Sequence, residues 1–472
     1  MLRYTGHPFV DVGAATLTAF AEKERPEHLT SDDLQVAAEY MEKVYMGKHM
    51  NSFLVCVFPN SAYVNPTSGA DKKQQFLDFH LYGFRQAATP EAPPCVACGQ
   101  RALGPTFRQH VPLLTGEDVL NFFPNAQPGL PLCGACLLAI AALPLGALKC
   151  SGRALILHAD DDSITLDFAR EHLERNRRLL QLAGQSNSKY PDAKEVRTRL
   201  MEQLCAWAER QRRRGSETRA LSLTAYHFTN SGQGPDIDIY HLPSQLVDFV
   251  RTATGARYAS AWNAIVRRAW WAGRDASDAA DTRNVFYEDL LRLPDNAPLF
   301  IRRYFLREAY RAAPKDDPRG GYNLAAELDV VSWPLTDLFL RKVVNMDRSR
   351  IEAIRALGDR LAEYIESQND RRFWRRLYTA DKYYILRNAL IKASESEIKA
   401  GRPPLITFDD FILVFEEGEE LVRTDWGLAR DLALIRVIEQ LHARQWFAKN
   451  PEALSEESDT SESDEEKEAA TA

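Results

Sequence analysis

Four cysteines in two Cys-x-x-Cys pairs have the spacing that best fits a defined chemistry: Cys95 and Cys98 in PPCVACGQ, and Cys133 and Cys136 in PLCGACLL. Each pair offers two thiolates from one tight turn, with Gly99 and Gly134 easing the knuckles, and two knuckles make a closed tetrahedral site of the structural zinc type. The 34 residues between Cys98 and Cys133 exceed what a simple ribbon needs, so a loop must be inserted between the two halves. An unmetallated cluster or an iron–sulfur cluster would use the same residues, and both stay open beside zinc. A catalytic zinc keeps one position for water, which four cysteine ligands deny. The expected role is therefore a staple.

His158, Asp160, Asp161 and Asp162 carry the donors of a hard-metal nuclease site. Asp is equally favoured in turns, where it hydrogen-bonds locally, and that reading carries more weight here. His7, His80, His227 and His241 have no nucleophile or carboxylate grouped with them in sequence. No phosphate-binding glycine loop, nucleophile elbow or HExxH motif is present. The chain is expected not to be an enzyme.

A second chemistry is carried by arginines beside aromatic rings. Arg212 to Gly215 (RRRG), Arg267 and Arg268 before Trp270 and Trp271, Arg302 and Arg303 before Tyr304 and Phe305, and Arg371, Arg372, Arg375 and Arg376 in RRFWRR repeat the theme. A guanidinium fork suits phosphate and a ring suits a base face. The competing reading is rings in the core with arginines flanking them.

The elements that must position these residues change along the chain. VGAATLTAFA has helical spacing, and Thr30, Ser31 and Asp33 announce a helix over Asp32 to Met46 with a weak capping box. SFLVCVF (Ser52 to Phe58) reads as a buried strand, and Pro59 to Gln75 as a loop. Arg153 to Phe168 alternates around the Asp run as a hairpin would. Helices follow over Asp167 to Ala183 and Asp192 to Arg214, then a strand pair over Ala220 to Phe228 and Asp236 to Leu242. Beyond about residue 245 helical spacing takes over. Among the expected helices are Ala297 to Ala313 and a set over Asp347 to Lys449 that could form a four-helix bundle. The expected class is α+β. A mixed domain over 1–245 carries a zinc-ribbon-like insertion (about 92–150); a basic helical region (246–345), a helical bundle (346–450) and an acidic tail (451–472) follow.

Charge is distributed unevenly. The formal net charge is -7, but the acidic tail from Glu452 onward carries -8, and residues 251–376 hold 23 Lys+Arg against 18 Asp+Glu. Such a serine-rich acidic tail cannot bury enough apolar surface to fold and is expected to be disordered. Arginine excess favours a polyanionic partner with salt-sensitive affinity. Seven cysteines, an odd number, with CxxC pairing and no signal peptide point to a reducing cytoplasm. Leu130 to Leu148 lacks charge but contains Pro131, Gly134, Pro144 and Gly146, which favours a buried helix after a metal knuckle over a membrane span.

The opening YTGHPFVDVGAATLTAF (Tyr4 to Phe20), the two CxxC pairs and the late WGLARDLALIRVIEQL together resemble the CxxC…CxxC large subunit of the type I-B (also classed I-A) CRISPR surveillance complex, Cascade. The resemblance implies a nonenzymatic role. Guide RNA reads the target, while the protein reads a short flanking motif on duplex DNA, steadies the displaced strand and helps recruit a helicase-nuclease. Implied partners are CRISPR RNA, target DNA, and the Cascade backbone and small subunits. Reading a motif needs polar side chains on an exposed turn; Asn230, Ser231 and Gln233, or Lys72, Lys73, Gln74 and Gln75, are the candidates. Arg267, Arg268, Arg302, Arg303, Arg371, Arg372, Arg375 and Arg376 are the candidates for contacts to the nucleic-acid backbone. Relatives can also release a small helical subunit by internal translation, for which Met346 is the candidate start. Alternatives are a zinc-ribbon transcription regulator, for which no recognition helix is evident, and a metal-dependent nuclease using His158 and Asp160 to Asp162.

Overall fold

The computed structural model describes residues 2–65, 67–117, 129–186, 190–215, 221–231, 234–271, 282–417 and 421–454. They form two compact units, one of Met1–Arg251 with Ala272–Arg283 and one of Thr252–Trp271 with Asn284–Ala472. The first mixes helices with small sheets and the second is almost wholly helical, so the fold is α+β.

The first unit is organised around α1 (Pro8–Phe20), which starts with Pro8 at its first turn and is buried from Phe9 to Ala19. Its neighbours come close because Gly13 has no side chain: a Cβ there would lie 1.8 Å from the carbonyl oxygen of Ala139. α2 (Ser31–Tyr45) carries the expected capping box, with Asp33 N donating to Thr30 Oγ1 and Thr30 N donating to Asp33. α3 (Asn51–Val57) replaces the strand expected at Ser52 to Phe58. A short apolar run is ambiguous between the two; here the helical turn lets the Cys56 thiol donate to the Ser52 carbonyl at 3.3 Å. α4 (Ala70–His80) likewise takes up Lys72, Lys73, Gln74 and Gln75, expected in a loop.

β1 (Gly104–Thr106) and β2 (Leu130–Leu132) form an antiparallel rung, followed directly by the buried α5 (Gly134–Ala141). β3 (Leu148–Cys150), β4 (Arg153–Ala159), β5 (Leu223–Thr229) and β6 (Asp236–Leu242) make one antiparallel sheet in the order β3-β4-β5-β6. β5 and β6 pair as expected, with Tyr226 opposite Ile239. The hairpin expected across the Asp run is instead a strand-to-helix turn, since α6 (Asp162–Ser186) begins at its third Asp. Asp161 decides this: its carboxylate accepts from Ser163 N at 2.8 Å and Ser163 Oγ at 2.5 Å, satisfying first-turn donors of a helix. α7 (Val196–Arg214) ends on Gly215 at φ +65°, the left-handed cap expected of glycine. α8 (Ser244–Ala253) closes this run.

In the second unit α9 (Ala259–Arg268), α10 (Val285–Leu290) and α11 (Ala297–Phe300) surround an aromatic core that includes Trp262, Phe286, Phe300 and Tyr304. The helix expected over Ala297 to Ala313 passes through a π-helical turn at Ile301–Phe305 and stops. Arg307 ends it: its backbone is left-handed at φ 63°, and its fully buried guanidinium donates to Glu327 from Nε at 2.6 Å and lies 3.9 Å over the Tyr322 ring. α12 (Trp333–Phe339), α13 (Arg348–Gln368), α14 (Arg371–Thr379), α15 (Tyr383–Lys399), α16 (Phe408–Phe415), α17 (Trp426–Ala443) and α18 (Trp446–Lys449) complete it. α17 is the central helix, packed on α12, α13 and α16. Gly358 on α13 admits Arg436 of α17, whose Cβ would be 2.7 Å from an added methyl. Residues before Met346 join this core, since Trp333 N donates to Glu439 at 3.0 Å.

Candidate metal centre and basic faces

The four cysteines meet. β1 follows the first knuckle and β2 precedes the second, so the Gly104–Leu132 pairing brings two distant turns together. Within the first knuckle Gly99 N donates to Cys95 O at 2.9 Å, with Gly99 at φ +77°. Cys133 caps α5 and Cys136 lies on its first turn. Gly134 is required for a reason other than knuckle geometry: a Cβ there would lie 2.2 Å from the backbone of Gly83.

All four Sγ atoms lie within 4.8 Å of one another, with Cys98 and Cys133 at 3.5 Å. Tetrahedral zinc with Zn–S bonds of about 2.3 Å needs sulfurs about 3.8 Å apart, so the donor set fits such an ion. Cys95, Cys133 and Cys136 are buried and Cys98 is partly exposed. Hydrogen bonds from Cys133 and then Cys136 hold the Cys95 thiol far below its usual range, while the Cys136 thiol is pushed far up by its bonds to Cys133 and Cys95. A cation binding all four sulfurs must displace thiol protons. Arg3 donates from Nη2 to the Cys98 carbonyl at 2.8 Å, fastening the opening segment to the first knuckle. The four cysteines are the only His/Cys/Asp/Glu group among the described residues close enough to hold a metal ion.

Three of the residues imagined as a nuclease site have partners of their own. His158 Nε2 lies 3.3 Å from Asp11, Asp160 accepts from Ser222 Oγ, and Asp161 is spent on the α6 turn. The opening motif is also a structural lock. Asp11 accepts from Thr5 N at 2.7 Å, Thr5 Oγ1 at 2.9 Å and Gly6 N at 2.9 Å, folding YTG back onto α1. Sequence reading did not assign Asp11 a partner, because His158 lies 147 residues away.

The candidate reading residues divide. Asn230 is fully buried, its Nδ2 donating to Arg108 O at 3.2 Å and its own carbonyl accepting from Arg108, so it cannot present a side chain on an exposed turn. Ser231 is partly exposed beside Thr229, and Gln233 lies outside the described residues, as does the acidic segment 455–472. Lys72 is exposed and Lys73 half-buried on the first turn of α4.

The arginines divide as well. Arg268 donates to Glu327 at 3.0 Å and to Gly321 O at 2.7 Å. Arg302 lies 3.0 Å from Asp431 and 3.2 Å from Glu308, and Arg303 sits 4.1 Å over Tyr310 with Asp289 at 3.5 Å. Carboxylates lie against Arg268, Arg302 and Arg303 and would compete with a phosphate for them. Arg371 pairs with Glu452, whereas Arg267, Arg372 and Arg376 are exposed and have no carboxylate partner among the described residues. Arg375 is half-buried on the same helix. The rings beside them, Tyr304, Phe305, Phe373 and Trp374, are buried. Base stacking on those four is thereby ruled out, whereas Trp270 and Trp271 are only half-buried.

No protein-family model, no curated protein and no solved structure matches the chain. No helix among the described residues is long and apolar enough to cross a membrane.

Proposed function

We propose that this chain is the large subunit of a type I CRISPR RNA-guided surveillance complex, a nonenzymatic protein that works in the cytoplasm. One observation supports the reading above others: two of the three sequence features that carry the resemblance, the opening and the cysteine pairs, are built into a single core. α1, which bears the opening motif, packs through Gly13 onto α5, which begins at the second cysteine knuckle. Cys95, Cys98, Cys133 and Cys136 would hold a structural zinc ion. Bound there, the ion cross-links the ribbon and leaves no position for a substrate water.

In this reading the guide RNA supplies sequence recognition and the protein reads the flanking motif and holds the opened strands. Ser231 and the exposed start of α4, with Lys72 and Lys73, remain the candidates for motif reading. Arg267, Arg372 and Arg376, which carry unneutralised charge at the surface, are the candidates for phosphate contacts. Backbone and small Cascade subunits and a helicase-nuclease are the protein partners.

Fluorescence anisotropy with a labelled single-stranded DNA oligonucleotide, titrated against salt, tests the nucleic-acid part. Replacing Arg372 and Arg376 by Ala should weaken binding and reduce the slope of log affinity against log salt by about 1.4, from about 0.7 per phosphate contact on a single strand. An unchanged affinity and slope would remove α14 from the interface.

A further inference from the structure

α15 is apolar on two sides. Leu386, Ala389, Leu390 and Ala393 are buried, and a helix with one buried stripe ordinarily turns a polar face outward. Instead Tyr384, Ile391 and Ile398 stand 59%, 41% and 58% exposed. Their spacing makes a stripe of them, because seven residues advance nearly two full turns and the three therefore lie within about 40° of one another. Single apolar residues on a surface are ordinary; three in line along one helix mark a face. The charges beside the stripe are arranged about its middle. Arg387 and Glu395, both exposed, lie one turn before and one turn after Ile391.

We propose that α15 pairs with α15 of a second copy of this chain, antiparallel, about a two-fold axis at Ile391. The axis sets each residue level with the one equally far beyond Ile391 in the other copy, and every contact is made twice. Ile391 meets the partner's Ile391, Tyr384 meets the partner's Ile398, and Arg387 comes level with the partner's Glu395. A parallel pair would set Arg387 on Arg387 and Glu395 on Glu395; like charges repel, so the charge pattern selects the antiparallel arrangement. Within one chain the two cannot pair, being eight residues, or about 12 Å, apart along the helix. A seam of one 17-residue helix is about 25 Å long. Interfaces that small are weak, so the association is reversible. It is independent of the functional reading above.

Disulfide trapping in the full-length chain tests the pairing at about 10⁻⁴ M, a concentration suited to a small interface. Peptide mass spectrometry reads the bonds between introduced thiols, and the natural chain, run alongside, accounts for its own cysteines. Tyr384→Cys and Ile398→Cys chains, mixed in equal amounts and mildly oxidised, should give the mixed dimer several-fold beyond its chance excess over the symmetric ones. Ile391→Cys should give a symmetric dimer, whereas Lys392→Cys, about 100° further round the helix, should give several-fold less. Arg387→Glu should cut the Ile391→Cys dimer several-fold, and adding Glu395→Arg should restore it, since the reversed charges again meet their opposites only in an antiparallel pair. All these positions are exposed, so the variants keep the fold. An excess of the two symmetric dimers in the mixture would mean a parallel pair and overturn the proposal. Equal trapping at positions 391 and 392, no dimer at either, or no rescue by the double reversal would overturn it as well.

Discussion

Asp11 and His158, 147 residues apart, face each other at 3.3 Å beneath the first residues of the chain. Burial raises the Asp11 carboxyl, but the hydrogen bonds from His158, Thr5 and Gly6 outweigh it and hold the group below its ordinary value of 3.8. Opening segment, α1 and β4 are thereby tied at one carboxylate.

Removing that carboxylate orphans the amides of Thr5 and Gly6. Asp11→Ala should destabilise the protein by about 2–4 kcal/mol, as expected when a buried charged acceptor of several donors is deleted; chemical denaturation measures it. Because the folded value is depressed, the contribution is complete above the unfolded value of about 4 and is lost as pH falls through the folded value. Acid denaturation of Asp11→Ala should therefore be shallower than that of the natural chain below about pH 4.

Gly13 offers a sharper test of the same core. With a methyl 1.8 Å from the Ala139 carbonyl oxygen, α1 and α5 must separate. Gly13→Ala should cost about 3 kcal/mol or more, far beyond the small gain expected for a glycine-to-alanine change inside an unobstructed helix. Thermal unfolding measures it.

The cysteine cluster should hold one zinc ion per chain, and its loading should release protons. Cys136→Ser, deep in the cluster, should abolish metal content and lower stability by about 3 kcal/mol or more, with a fall in Tm of about 2–4 °C per kcal/mol. Elemental analysis and calorimetry of the natural and variant chains check both. Full folding with no metal in the natural protein would contradict the staple.

His80 and His110 predict a second pH window. His80 is fully buried, with Nδ1 at 2.9 Å from the Tyr63 hydroxyl and Nε2 at 3.0 Å from His110 O. Burial pushes His80 well below its ordinary value of 6.5 and His110 down to about 4. Both are neutral in the fold, so their contribution is complete above about pH 6.5 and is lost as pH falls toward 4. His110→Phe, which keeps a ring against Phe76, should flatten the stability profile between pH 6.5 and 4.

Much of this was legible in residue order. The capping box at Thr30, the left-handed glycine at 215 and the β5–β6 pair depend on local chemistry, and each formed. The two CxxC pairs announced their convergence because only sulfurs at that spacing need each other. What was missed depends on partners far away. Ser52 to Phe58 carries no period that separates strand from helix, and its burial was satisfied by neighbours on several elements. The π-helical turn before Arg307 follows from Glu327 and Tyr322, twenty and fifteen residues on. Asn230 looked like a loop tip by composition, but Arg108, 122 residues earlier, draws it into the interior. Arg302 and Arg303 looked like free charge until their carboxylates came into place.

The proposed role places the protein inside an RNA-guided complex. The most direct measurement is purification of the tagged natural chain from its own cell, with sequencing of bound RNA and mass spectrometry of co-purifying proteins. Repeat-derived guide RNA together with a repeating backbone subunit is the predicted result. A chain that purifies alone, free of RNA, would contradict the account.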